Sequence, residues 1–347
     1  MRSKLAYKNI NGNTPYPKIW EWLEKGQDLS IEDTWPTALT IHSWLKRKAL
    51  TQYKVDDYTS ERKFKKFWVE FLSHLLIPIE NHKIKLKKAP TIGWLEKFYP
   101  QKELFFLPIK QVLGLNGSWQ WYQRGIQYPM LPFKLHPYYN VYFPTRIEHL
   151  ELLDQFLGKG NFKGKIALDA GCGCGVLGFI LQQHGLAKIY ATDINPFAIQ
   201  GLEDEIERLD LKNKIIPKLT NALDLDIETA ADLIVINPPW LRIEPNSLLD
   251  EGSYHSENYL EQIFSTVPTK LKAGGDLVIL FSNLGELLGL TGHNPIAKLA
   301  QQYNFNLITK ITTARKRLAK KNPYSWWNDV LKKEEIQLWH FKFYSSP

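Results

Sequence analysis

From residue 166 onward the chain alternates two hydrophobic patterns. Short apolar runs of strand character at Ile166 to Asp169, Lys188 to Asp193, Lys214 to Leu219, Leu233 to Asn237 and Asp276 to Phe281 are separated by stretches with helical spacing. That alternation predicts βαβ units and a mainly parallel sheet. Two later runs, Leu307 to Thr312 and Ile336 to Phe343, bring the strands to seven and predict a closing hairpin. The last run alternates apolar and polar residues, as an edge region with one wetter face should. Gly274-Gly275 predicts a helix end just before the fifth strand.

Upstream the pattern is helical, over roughly Pro17 to Gly26, Ala38 to Gln52 and Ser60 to Ile77. The third of these places Phe64, Phe67, Trp68, Phe71, Leu72 and Leu75 on one stripe. A strand at His82 to Lys88 and a turn at Asn116-Gly117 are expected to follow. Composition shifts between residues 125 and 145, without any internal repeat or low-complexity tract. The reading is a mainly helical amino-terminal domain over 1–130, for substrate recognition, and an α/β domain over 131–347.

The chemistry concentrates at two strand ends. The first strand closes on Asp169-Ala-Gly171-Cys172-Gly173-Cys174-Gly175, and the glycines let the backbone turn tightly and approach a ligand with no Cβ in the way. Gly173, Gly175 and Gly178 also satisfy G-x-G-x-x-G, and Asp193, 24 positions after Asp169, lies where a dinucleotide enzyme keeps its ribose acid. Glycines alone therefore leave a nicotinamide or flavin oxidoreductase open. Two features point away from it: the acid within the strand end, and Asn237-Pro238-Pro239-Trp240 after the fourth strand, which has no task in hydride transfer. Consecutive prolines remove two backbone donors and stiffen the turn. The Asn237 side chain and the Pro238 carbonyl can then accept from one amino group.

Asp169-x-Gly171-x-Gly173-x-Gly175 resembles motif I of class I S-adenosylmethionine methyltransferases. Asn237-Pro238-Pro239-Trp240 is similar to the tetrapeptide of N6-adenine and N2-guanine methyltransferases and of the enzymes that methylate glutamine amides in release factors and a ribosomal protein. The resemblance runs from about residue 136 to the carboxyl end. It implies a Rossmann-like seven-stranded sheet with an antiparallel seventh strand, S-adenosyl-L-methionine as cofactor and S-adenosyl-L-homocysteine as product. It implies that Asp169, Gly171, Cys172, Gly173 and Gly175 border the methionine part, that Asp193 takes the ribose hydroxyls, and that Ile194 also borders the cofactor. A polar group after the third strand should face the adenine; Asp224 matches best, with Asn221 and Asp226 open. Asn237, shared with the cofactor side, joins Pro238, Pro239 and Trp240 in catalysis, Trp240 stacking on a planar substrate. Trp is less usual there than Tyr or Phe, which leaves the substrate undecided. The segment Val141 to Glu148 resembles the stretch before motif I in the glutamine enzymes, making Thr145 and Arg146 substrate-side candidates.

Composition sharpens this picture in three ways. The chain has 347 residues, 44% hydrophobic, enough for one large α/β domain and a smaller one. Lys and Arg outnumber Asp and Glu by eight, with the excess concentrated before residue 125, as in Lys83-Ile-Lys85-Leu-Lys87-Lys88. A basic balance favours nucleic acid through counterion release, RNA first and DNA second; a translation protein carrying a target glutamine is the alternative, and a solvated lysine face the plain one. The two cysteines, Cys172 and Cys174, cannot make a disulfide framework or a zinc site and read as small side chains in a crowded loop. With no run of 18 apolar residues and no signal-like amino terminus, the expectation is a soluble cytoplasmic enzyme without membrane or metal. A binding module that keeps the fold without catalysis is a further class, disfavoured by intact Asp169, Asp193 and Asn237.

Overall fold

The apolar runs from Ile166 to Ser282 form five parallel strands, the inner four largely buried and the edge strand half exposed. They are β8 (Ile166–Ala170), β9 (Lys188–Asp193), β10 (Ile215–Leu219), β11 (Ala231–Ile236) and β14 (Leu271–Ser282). The structure is a computed structural model that describes residues 7–221, 230–242, 254–255, 258–292, 294–316 and 325–344. Two compact units divide the chain, Met1–Gln123 and Arg124–Pro347. In the second, the sheet order is β10-β9-β8-β11-β14-β16-β15, where β15 is Phe305–Ala314 and β16 is Glu335–Phe343. β16 runs antiparallel to both of its neighbours. The order reverses between β8 and β11, and open α/β sheets bind ligands in the crevice at such a point.

The hairpin differs from expectation in one respect. β16 is inserted between β14 and β15, and the edge belongs to β15. Six consecutive residues of β16 are buried. Its His340 meets Phe156 of the helix Glu148–Lys159 (α6) with ring centroids 4.8 Å apart, while Phe341 meets Phe264 at 6.0 Å. β15 instead shows alternating exposure along its length. Gly274-Gly275 also falls inside a strand and not at a helix end. Register along β14 jumps between Leu271 and Asp276, so the pair forms a bulge, with Gly274 at φ +72°.

Unit 1 carries a five-stranded mixed sheet that helical periodicity concealed. Its strands are β1 (Lys8–Ile10), β2 (Leu29–Ile31), β3 (Leu75–Glu80), β4 (Lys83–Ile84) and β5 (Leu104–Pro108). Helices predominate around it: Tyr16–Glu24 (α1), Trp35–Gln52 (α2), Tyr58–Leu72 (α3), Trp94–Phe98 (α4) and Ile109–Arg124 (α5). Of the stripe, Phe64, Trp68, Phe71 and Leu72 are buried in α3 and Phe67 is half-buried, but Leu75 begins β3. Asn116-Gly117 lies within α5 and makes no turn. Trp119 and Tyr122 pack on Trp94, at 5.1 and 4.7 Å between centroids, so that aromatic cluster serves the interior of the unit. Among the described residues, no helix is long and apolar enough to cross a membrane.

Candidate active site

Register brings three candidates to one sheet end. Ala170, the last residue of β8, pairs with Thr192 on β9 and with Ile236 on β11. The next residue of each strand is therefore Gly171, Asp193 or Asn237, side by side at the reversal of strand order. The turn after β8 is tied down from β9: Gly171 N–H and Cys172 N–H both donate to Thr192 O, at 2.9 and 2.8 Å. Gly171, Gly173 and Gly175 have φ of +78°, +51° and +79°, a region that side chains rarely adopt. At Gly173 a Cβ would stand 2.9 Å from Tyr142 O, and at Gly175 2.6 Å from Leu202 Cδ1. Gly175 then caps the helix Val176–Gln183 (α7).

Asp169 is fully buried, and its Oδ2 accepts from Gly178 N–H at 2.9 Å. Its Oδ1 is buried without a hydrogen-bond partner. Burial pushes this carboxyl up to about 7, with the Asp193 charge adding to the effect and the Gly178 N–H opposing it. Asp193 accepts from Gly173 N–H at 2.8 Å through Oδ2 and from Asn195 N–H at 2.9 Å through Oδ1. Burial raises it as well. Beside it, Ile194 is 48% exposed, an apolar side chain open to a flat ligand. Asn195 caps the helix Pro196–Arg208 (α8) through Oδ1 to Phe197 N–H at 3.0 Å. Cys172 and Cys174 are buried thiols, Cys174 pushed up to about 12 by burial.

On the other side of Gly171, Asn237 and Trp240 close on each other: Trp240 Nε1–H donates to Asn237 Oδ1 at 3.1 Å. Pro238 is buried between them in sequence, and Pro239 half-buried. Two residues from the segment before β8 hold the indole. The Arg146 guanidinium lies 5.0 Å over its ring, and His149 on α6 meets it edge-on at 5.7 Å and 89°. Arg146 is in turn fixed by Glu334, its Nη1 2.5 Å from a carboxylate whose side chain is wholly buried. Arg315 Nη1 and Ser282 Oγ donate to the same carboxylate, at 3.2 and 3.0 Å. Thr145 is exposed and stands apart from this group. Asp224 and Asp226 lie outside the described residues; Asn221 is exposed just after Thr220, whose N–H donates to Asp193 O at 3.0 Å.

His149 and Glu334 carry no signal in the sequence. A buried histidine inside an apolar helix reads as core, and only its place beside Trp240 marks it. Both ring nitrogens of His149 are buried without a partner, and burial, then the Arg146 charge, push it down to about 3. The rest of the segment before β8 is tied to the glycine turn, to the start of α8 and to Tyr128. Asn140 O accepts from Asn195 Nδ2 at 2.8 Å, Tyr142 O from Cys174 N–H at 3.1 Å, and Pro144 O from the Tyr128 hydroxyl at 2.8 Å. A cavity of about 290 Å³ with mixed polar and apolar walls opens beyond the tetrapeptide, between Arg242, Glu261, Phe281, Glu286, Asn294 and Leu299.

Residues 149–287 match the family model described as Methyltransferase small domain. A relative named as a protein N5-glutamine methyltransferase, from Methanocaldococcus jannaschii, is 29% identical over 161 residues, 44% of this chain and 77% of the relative. The ribosomal protein L11 methyltransferase of Acinetobacter baumannii is 36% identical over 84 residues, which cover 24% of this chain and only 28% of that protein. The crystal structure of the M. jannaschii tRNA m1G37 methyltransferase aligns at TM-score 0.39 and 20% identity, over 60% of this chain and 52% of that one. Strand order, glycine turn and family match together make the carboxyl-terminal unit a class I methyltransferase domain. The match to the methyltransferase small domain lies within this unit, and the cofactor it indicates is S-adenosylmethionine. The residues fit that cofactor: a buried carboxylate oxygen lacks a partner, and a cradle too tight for any Cβ lies next to it.

Proposed function

We propose that the protein transfers a methyl group from S-adenosylmethionine to a planar amino or amide nitrogen. The observation that carries this is the register that sets Asn237, with its two prolines and Trp240, beside Gly171 and Asp193. When bound, the cofactor supplies an electrophilic methyl on a sulfonium. Asp169 would lie against its cationic methionine end and ionise in answer to that charge, Gly171 to Gly175 with Cys172 would line that part, Asp193 would meet the ribose diol and Ile194 the adenine face. Asp224 is the candidate for the adenine edge. Asn237 Oδ1 and the Pro238 carbonyl accept the two hydrogens of the acceptor nitrogen, Pro239 fixing the turn. Its conjugated lone pair is drawn toward tetrahedral geometry in line with the methyl; the N–C bond forms as the S–C bond breaks, and one N–H proton leaves to solvent. Positioning and fixed dipoles provide the rate, so no strong base is needed.

For the acceptor, the charge of the first unit supports a base in RNA. The relative named for glutamine N5 methylation supports the second reading, an amide in a translation protein. Incubating the protein with radiolabelled cofactor and cell lysate, then digesting with nuclease or with protease, separates the two: label that survives nuclease and is lost to protease overturns the RNA reading. Asn237→Ala tests the chemistry. It should lower kcat by about 10² to 10³, as loss of one preorganised polar contact does, with S-adenosylhomocysteine affinity little changed; unchanged turnover rules the mechanism out.

A further inference from the structure

Trp240 occupies the very atom that the proposed reaction needs. Its indole N–H donates to Asn237 Oδ1 at 3.1 Å, where an acceptor N–H is required to donate. An indole N–H is donor only and planar, so it satisfies the amide oxygen as an aromatic amine or carboxamide does. The ring is held in this pose from both sides, by Arg146 over its face and His149 at its edge. Arg146 cannot drift, because buried Glu334, itself held by Arg315 and Ser282, grips it. Behind the ring, two buried imidazole nitrogens have no partner.

We infer that Trp240 is a displaceable stand-in for the acceptor, so that the site admits only acceptors able to replace one N–H bond to Asn237 with their own. This rests on the reading of Asn237 as the acceptor-binding group. The geometry then selects chemistry: a primary aromatic amine or primary carboxamide supplies one N–H for Asn237 and a second for Pro238, whereas a hydroxyl has one hydrogen for the two oxygens, and carbon acceptors and tertiary amines have none and lose to the indole. Displacement also frees the indole to stack on the incoming plane and uncovers His149, whose neutral ring can donate or accept there.

The test uses the full chain loaded with S-adenosylhomocysteine and ¹⁵N-labelled at its indoles. Trp240→Phe identifies the Trp240 signal among the 12 tryptophans. Its N–H should exchange with solvent at least tenfold more slowly than exposed indoles, and tenfold faster again in Asn237→Ala; exchange at the rate of an exposed indole in the unaltered chain overturns the inference. Kinetics with the labelled lysate fraction give the second readout. A plug predicts that Trp240→Phe, which still stacks, lowers the acceptor KM about threefold or more; a raised KM means that the indole only stacks and defeats the inference. Failure of the underlying reading looks different, since Asn237→Ala would then keep full turnover whatever the indole does.

Discussion

Asp169 shows how one residue can tie stability to ligand binding. The glycine turn encloses it completely, so its carboxyl keeps a proton up to about pH 7 in the folded chain, against about 4 in an unfolded one. Stability from this group is complete below pH 4 and is lost as pH rises through 7, because the unfolded chain then releases the proton more easily. Asp169→Asn should therefore melt close to the parent at pH 5 and several degrees above it at pH 8 when both lack cofactor. The same substitution should weaken S-adenosylhomocysteine binding about tenfold or more. A difference in melting temperature that does not change with pH would show that Asp169 keeps its charge throughout. Gly173→Ala attacks the same cradle sterically: at φ +51° and 2.9 Å from Tyr142 O, the new Cβ should cost roughly 1–3 kcal/mol in denaturant titrations and abolish cofactor-induced stabilisation. At this scale the sequence was informative wherever backbone conformation demands a residue type. Gly171, Gly173, Gly175 and the Asn-Pro-Pro turn are legible because few residues tolerate those conformations. His149 and Glu334 are not, since their meaning is set by partners 91 and 188 positions away, Trp240 and Arg146.

Elements were legible in proportion to how local their causes are. The inner parallel strands β8, β11 and β14 announce themselves because they are buried and carry long apolar runs. Asn195, directly ahead of Pro196, caps α8 while its Nδ2 also reaches Asn140. Asn195→Ala should accordingly cost more than an ordinary cap, about 2 kcal/mol by chemical denaturation, with loss of order at residues 138 to 146 visible as faster amide exchange; a loss confined to the first turn of α8 would show that the Asn140 bond contributes nothing. The sheet of unit 1 was hidden for the opposite reason. β1 and β2 are three residues each and β4 two, too short for period-2 alternation to register; β2 exists because it pairs with β3 far along the chain, β1 because it pairs with β2, and β4 because it folds back on β3. The placement of β16 was misjudged as edge-like because Gln337 and His340 break its apolar run. Those polar groups are buried with partners, His340 Nε2 lying 2.7 Å from Asp276 Oδ1 and Gln337 Oε1 accepting from Trp339 Nε1–H at 2.9 Å.

Over the whole molecule, charge and chemistry are divided between the units. Residues 1–123 hold 20 Lys and Arg against 12 Asp and Glu, and residues 124–347 hold 24 against 24, so the entire net charge of +8 belongs to the unit without the cofactor site. A domain that only covered a pocket would have no need of this. Lys46, Arg47 and Lys48 are three consecutive exposed cations on α2. If an RNA acceptor is gathered by phosphates on this unit, affinity must follow counterion release: about four phosphates on a single strand give a slope near −3 in log K against log salt, roughly a fiftyfold loss between 50 and 200 mM. Replacing all three cations with Gln should flatten that slope by about two while leaving kcat on saturating acceptor untouched, because none of them reaches the reacting atoms. A neutral protein acceptor gives a shallow slope that the triple substitution does not alter. Salt titration of acceptor binding on the full chain, with and without those substitutions, therefore tells whether the first unit recruits a polyanion or carries its charge for solubility alone.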